Sequence, residues 1–150
     1  MAVSDAYNFR QVNERLATAG VISEQQLSEL STEGYRAVIN LLPEDSPYAV
    51  AGERAIVEGQ GLAYTHIPVD FAAPTEADFQ AFCQAMGTNA DVRLMVHCAA
   101  NYRVSAFYAL YAVERLGWSP EQAREFIAAT WNLEEQPVWQ AFVEDHLKPA

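Results

Sequence analysis

Three short apolar runs, each ending in a loop and each followed by a helical pattern, constrain this chain more than any other feature. They are residues 36–42 (RAVINLL), 62–69 (LAYTHIPV) and 93–97 (RLMVH). Apolar runs of this length belong to strands covered on both faces, and strands separated by helices pair in parallel. The expected fold is α/β, with a central mainly parallel sheet of four to five strands flanked by helices on both faces. In such sheets a ligand sits beyond the carboxyl ends of the strands. The segments that matter most for function are therefore the three strand exits at 42–44, 69–71 and 97–99.

The punctuation between the runs sets the remaining elements. Residues Phe9 to Val12 and Leu16 to Ala19 alternate weakly and are expected as short edge strands. Ser23 with Gln26 makes a capping box, and Gly34 would stop the helix it opens. A helical pattern over Tyr48 to Glu58 is closed by Gly59 and Gly61. Thr75 with Asp78 opens a helix carrying Phe79, Phe82 and Met86, closed by Gly87. Val104 to Leu116 predicts a buried helix stopped by Gly117, Ser119 and Pro120 open another, and a last helix is expected from Pro137 to Leu147. No repeat or linker interrupts the order, so residues 1–150 are expected as one domain with residues 1–7 and 148–150 as loose termini.

Charge narrows the function. Nine Lys and Arg stand against twenty Asp and Glu, for a formal net charge of -11. Eight of the nine are arginine and the remaining one is Lys148. With no basic cluster, neither nucleic acid nor an anionic membrane is an expected partner, although one arginine suffices for a local anion site. No run reaches the roughly 20 apolar residues of a membrane span, and MAVSDAYNFR lacks the pattern of a signal peptide, so a soluble cytoplasmic protein is expected. Cys83 and Cys98 are expected as thiols. Metal-ligand spacing, a glycine-rich nucleotide loop and a Ser-His-Asp order are all missing.

The third exit reads His97-Cys98-Ala99-Ala100-Asn101-Tyr102-Arg103-Val104-Ser105, between a buried strand and a buried helix. A loop that enters a helix presents successive backbone N–H groups and the positive end of the helix dipole, a cradle for an anion. A cysteine at its mouth is expected as the thiolate, which makes Cys98 a candidate nucleophile. Arg103 can hold two oxygens of a tetrahedral oxyanion with its planar fork. Residues Ala99, Ala100, Asn101, Tyr102 and Val104 would surround the anion, with Asn101 best able to adopt a left-handed conformation. His97 is expected to orient the loop through a bond to its backbone, and Ser105 to support it. Tyr102 either projects into solvent or walls the pocket. The alternative for Cys98 is a packed core thiol, which is the expected role of Cys83.

The segment MVHCAANYRVSAF resembles the phosphate-binding loop of cysteine-based phosphatases, the protein tyrosine and dual-specificity group. Together with Phe9 to Val12, Leu16 to Gly20, the Ser23 to Gly34 helix, and strands 37–41 and 64–69, it resembles bacterial dual-specificity-like phosphatases of the beta-lactamase-hydrolase-like family. The resemblance spans about residues 8 to 147. It implies a tyrosine-phosphatase-like fold, hydrolysis of phosphate monoesters through a phosphocysteine, and no metal or organic cofactor. The partners it implies are a phosphorylated substrate of open class, and free phosphate, sulfate or vanadate in the loop; a homo-oligomer is left open.

The match has departures. Four residues separate Cys98 from Arg103 where the tyrosine-phosphatase signature has five, the usual glycine is missing, and Val104 replaces the hydroxyl residue that follows the arginine. Four-residue spacing is also that of rhodanese-like sulfurtransferases, so a Cys98 persulfide is one alternative and a catalytically weak oxyanion-binding module is another. The second exit favours a phosphatase. Asp70 lies 28 residues before Cys98, on a loop bounded by two prolines, where dual-specificity-like phosphatases carry their general acid. Its alternative role is that of a turn-forming aspartate. Glu76, Asp78, Glu44 and Asp45 are rivals better explained as caps or loop charges.

Overall fold

The computed structural model describes residues 2–148. Five strands form one sheet: β1 (Arg10–Gln11), β2 (Leu16–Ala19), β3 (Ala37–Asn40), β4 (Ala63–His66) and β5 (Leu94–His97), in the spatial order β1-β2-β5-β3-β4. Only the β1–β2 pair is antiparallel. The parallel strands end level with one another, because Ala19 and Asn40 both align with His97, and Asn40 aligns with His66. The central strand β5, buried along its whole length, therefore delivers residues 98–103 to the middle of the carboxyl edge.

Strand alternation divides the core in two. Leu16, Ala37, Ile39, Leu94 and Val96 face a layer that includes Phe79 and Phe82 of α3 (Glu76–Thr88), Phe107 of α4 (Tyr102–Arg115), Ile127 of α5 (Pro120–Ala128) and Trp139 of α6 (Pro137–Leu147). On the opposite face Ala17, Ala19, Val38 and Met95 pack with Leu27 of α1 (Glu24–Ser28) and Val57 of α2 (Glu53–Glu58). The expected α/β sheet with helices on both faces is what forms. Ser23 makes the expected capping box, Ser119 makes the expected cap and extends it to a capping box with Gln122, and Gly117 ends the α4 region at φ 79°. Among the described residues, no helix is long and apolar enough to cross a membrane.

Several expectations differ from the structure for physical reasons. β2 is not an edge strand: all four of its residues are buried, and β1 covers its outer side. The edge on the other side falls to β4, whose residues are half-buried or exposed although the run looked fully apolar. The helix expected from Tyr48 begins only at Glu53, after Pro47 and a left-handed Gly52 at φ 74°. α1 lasts five residues and gives way to turns before Gly34, whereas α3 runs through Gly87 to Thr88. The amino-terminal segment is packed instead of loose. Val3 is 1% exposed within a 3-10 turn at Val3–Asp5, and Tyr7 O accepts the Gly20 N–H at 2.7 Å. Lys148 is exposed as expected, and Met1, Pro149 and Ala150 lie outside the described residues.

Trp139 joins this core to the second strand exit. It is fully buried, and its Nε1 donates to Phe71 O at 2.7 Å. Truncation to alanine leaves a large cavity and an unpaired carbonyl, so Trp139→Ala is expected to lower unfolding free energy by about 3–5 kcal/mol. Urea denaturation measures it.

Candidate active site

Where β5 ends, Cys98 is fully buried, and its N–H reaches Ala19 O of the neighbouring strand at 3.3 Å. Past that point the chain leaves the sheet and turns into α4, which begins at Tyr102. Asn101 makes the turn in the expected left-handed conformation at φ 68°. Its fully buried side chain donates from Nδ2 to Asn8 O at 2.9 Å and to Thr18 Oγ1 at 3.0 Å. A short amide side chain is what such a position tolerates when glycine is missing.

The loop carbonyls are claimed from outside. Ala99 O accepts the Val21 N–H at 2.9 Å, and Ala100 O accepts from Asn8 Nδ2 at 2.9 Å. Gly20 allows this close docking, because a Cβ there would stand 2.6 Å from Ala99 O and 2.9 Å from Ala100 Cα. Among the described residues no protein acceptor takes the N–H groups of residues 99–104, and Ser105 N–H is the first to make a helical bond, to Asn101 O at 3.0 Å. Six successive amides without a protein acceptor at a helix entrance are an arrangement that can cradle an anion.

Arg103 bridges to the second exit. Its Nε donates to Val69 O at 2.9 Å, and its guanidinium carbon lies 5.0 Å from the centre of the Phe71 ring. These contacts leave its two terminal amino groups for a ligand. They also hold the chain on both sides of Asp70 against the loop. Phe71 is packed among Tyr102, Trp131 and Trp139, with ring centres at 6.4, 5.9 and 5.7 Å. Asp70 itself is exposed, and its Oδ1 accepts the Ala72 N–H at 2.9 Å, the turn expected as its alternative role. Its Oδ2 is left for other chemistry.

Other residues sit differently from expectation. His97 does not bond the loop backbone: its Nε2 lies 2.6 Å from Glu53 Oε2, and its Nδ1 has no hydrogen-bond partner among the described residues. Glu53 is only 6% exposed and was missed in the sequence, where an acidic residue inside a helix expected from Tyr48 looks like an ordinary surface charge. Tyr102 does not project freely into solvent, since it is half-buried and stacks on Trp131 with centres 4.7 Å apart and planes within 5°. Ser105 is turned into the helix layer, donating to Tyr102 O and accepting from Trp131 Nε1, each at 3.1 Å. The Val104 side chain is fully buried in the core, so only its backbone faces the cradle. Among the rivals of Asp70, Glu76 Oε1 is bound to His146 Nε2 at 2.6 Å.

The second thiol, Cys83, is packed in α3, and burial, with Glu114 adding to it, pushes its pKa up to about 11. A cavity of about 370 Å³ opens beyond β3 and β4, lined in part by Asn40, Glu53, Arg54, Tyr64 and His66. It is separate from the cradle, with Glu53 in its wall.

The left-handed turn gives a direct test. Asn101→Gly removes the two Nδ2 bonds but suits φ 68°, whereas Asn101→Ala removes them and strains the backbone. The alanine variant should be less stable than the glycine variant by about 1 kcal/mol in urea unfolding, and the reverse order would show that backbone conformation is not the constraint.

Residues 8–114 match the model of the family described as beta-lactamase hydrolase-like protein, phosphatase-like domain. A beta-lactamase hydrolase-like protein of Xylella fastidiosa (strain Temecula1 / ATCC 700964) is 37% identical over 105 residues, covering 68% of this chain and 24% of that protein. The chain thus spans about a quarter of the length of the curated relatives it matches. A crystal structure of the DUF442 protein of Shewanella putrefaciens CN-32 superposes with a TM-score of 0.86 at 34% identity, covering 96% of this chain and 93% of that one. P. aeruginosa TpbA shares the fold at 16% identity, with a TM-score of 0.74 and 93% and 84% of the two chains covered. With the family model matching most of its length, the chain belongs to the beta-lactamase hydrolase-like, phosphatase-like domain family, and it shares its α/β fold with TpbA.

Proposed function

We propose that this domain hydrolyses phosphate monoesters through a phosphocysteine on Cys98. The Cys98 thiolate attacks phosphorus in line with the departing oxygen, the S–P bond forms as the ester P–O bond breaks, and Asp70 gives the leaving oxygen its proton. Water then attacks the phosphocysteine. Asp70 takes the proton from that water, the S–P bond breaks, and inorganic phosphate and the thiolate are released. The loop amides and Arg103 hold the three equatorial oxygens throughout, as fixed dipoles that need not reorganise during the reaction.

The observation that carries this reading is the Arg103 Nε to Val69 O bond at 2.9 Å. One arginine at the mouth of an amide cradle is thereby tied to the residue that precedes the only carboxyl group of its loop. A sulfurtransferase has no use for an acid held there. The fold neighbour TpbA has been crystallised as a cysteine-to-serine form in complex with phosphotyrosine, which favours a phosphoryl ligand for the equivalent loop here. The surface charge supports a local site too: a chain of net charge -11 repels phosphate at long range, so affinity must come from groups at contact distance.

Hydrolysis of an aryl phosphate tests the reading. Cys98→Ser should abolish turnover, and Asp70→Asn should lower kcat by about 10²-fold, more for alkyl than for aryl leaving groups. Arg103→Lys should raise KM and lower kcat, while Arg36→Gln stays within about twofold of the wild type. Equal turnover by wild type and Cys98→Ser would overturn the proposal. Addition of one sulfur to Cys98 by thiosulfate, seen by intact mass in a protein that hydrolyses no phosphate ester, would replace it with sulfur transfer.

A further inference from the structure

We propose that Glu53 is a positioning residue for the cysteine loop, acting through His97. The inference rests on the phosphatase reading of that loop. His97 is the last residue of β5 and the neighbour of Cys98, and its side chain is 3% exposed against 6% for that of Glu53. Their 2.6 Å contact joins α2 to the end of the central strand across 44 residues of sequence. Neither group is needed to fill apolar space, and removing a carboxylate from water is costly unless its bonds restore what hydration supplied. A buried pair of this kind sets geometry better than it adds stability.

The geometry it sets is that of Cys98. Side chains alternate along β5, so His97 lies on the α1–α2 face while Cys98 belongs to the helical layer on the other. Backbone restraint is weakening at this point, with the Cys98 N–H to Ala19 O bond at 3.3 Å against 2.9 Å for Leu41 N–H to His97 O. With Glu53 accepting at Nε2, the ring is held in one orientation and the Nε2–H form is favoured. A ring fixed on one face fixes the peptide plane that joins His97 to Cys98, and so the direction of the thiol on the other face. Arg103 is anchored separately, by Val69 O. Loss of Glu53 should therefore disturb the nucleophile more than the oxyanion clamp, lowering kcat with little change in KM. Because Glu53 also lines the 370 Å³ cavity, its truncation enlarges a space that already exists instead of opening a void in closed core.

The experiment uses wild type, Glu53→Ala, Glu53→Gln, His97→Ala and the double Glu53→Ala/His97→Ala protein, at a temperature where thermal melts show all five folded. Two readouts are taken: aryl phosphate hydrolysis, and the rate of Cys98 carboxymethylation by iodoacetate, located by peptide mass. Glu53→Ala should lower kcat and the labelling rate about tenfold with KM within about threefold. Glu53→Gln, whose amide oxygen still accepts the bond, should restore both rates to within about threefold of wild type. The double variant should be no worse than the poorer single one. Wild-type rates in Glu53→Ala, failure of Glu53→Gln to rescue, or additive losses would each overturn the inference. If wild type labels at Cys98 but hydrolyses no ester, the phosphatase reading fails and the labelling rates alone decide the role of Glu53; if it does neither, both fail.

Discussion

The carbonyls of Ala99 and Ala100 point away from the cradle because Val21 N–H and Asn8 Nδ2 hold them there. A peptide group carries its N–H opposite its C=O, so bonding the oxygens outward turns the hydrogens of the next residues inward. Everything else at the carboxyl edge serves or uses this arrangement. Gly20 lets the amino-terminal segment come close enough to make it, and the left-handed Asn101 lets the loop close into α4 after so few residues. The loop is one residue shorter than the tyrosine-phosphatase pattern, yet it still offers a continuous run of free amides at a helix entrance.

The two faces of the sheet treat this loop differently. On the α3–α6 face the restraint is aromatic: Phe71, Tyr102, Trp131 and Trp139 interlock, and the Asp70 turn is carried on that packing. Rings of this size contribute through buried area and tilted or stacked contacts, which hold a loop without needing a directional bond at each residue. On the α1–α2 face the restraint is one short polar contact between Glu53 and His97. The turn that carries Asp70 and the end of β5 at His97 are thus held by contacts of unlike chemistry on opposite faces of the sheet.

Local signals made much of this legible in the sequence. The order of strands and helices along the chain, the caps at Ser23 and Ser119, the span of the last helix and the left-handed Asn101 all follow from residues within a few positions of one another. That Cys98 and Arg103 fall at one strand-to-helix junction was legible because they lie five residues apart. What was not legible depends on pairing across the chain. Nothing near Leu16 says that its strand lies inside the sheet, and nothing near Glu53 says that a histidine 44 residues later will be its partner. The apolar spacing after Tyr48 was read as helix because period alone does not weigh Pro47 and Gly52 heavily enough. The bracing of the loop by Asn8 has the same origin, since an asparagine near an amino terminus carries no mark of a contact 92 residues away.

That last contact has a consequence for how the protein acquires its site. Asn8 donates from Nδ2 to Ala100 O and accepts at its backbone O from Asn101 Nδ2, across some of the longest sequence separations in the molecule, 92 and 93 residues. Closing a loop of that size has an entropic cost that must be met before its contacts contribute, so such contacts form slowly relative to local helices and turns. The cradle is therefore among the features completed late in folding. A chain that has built α4 and the β3–β4 and β3–β5 pairs would still lack these braces on residues 100 and 101 until its first residues dock.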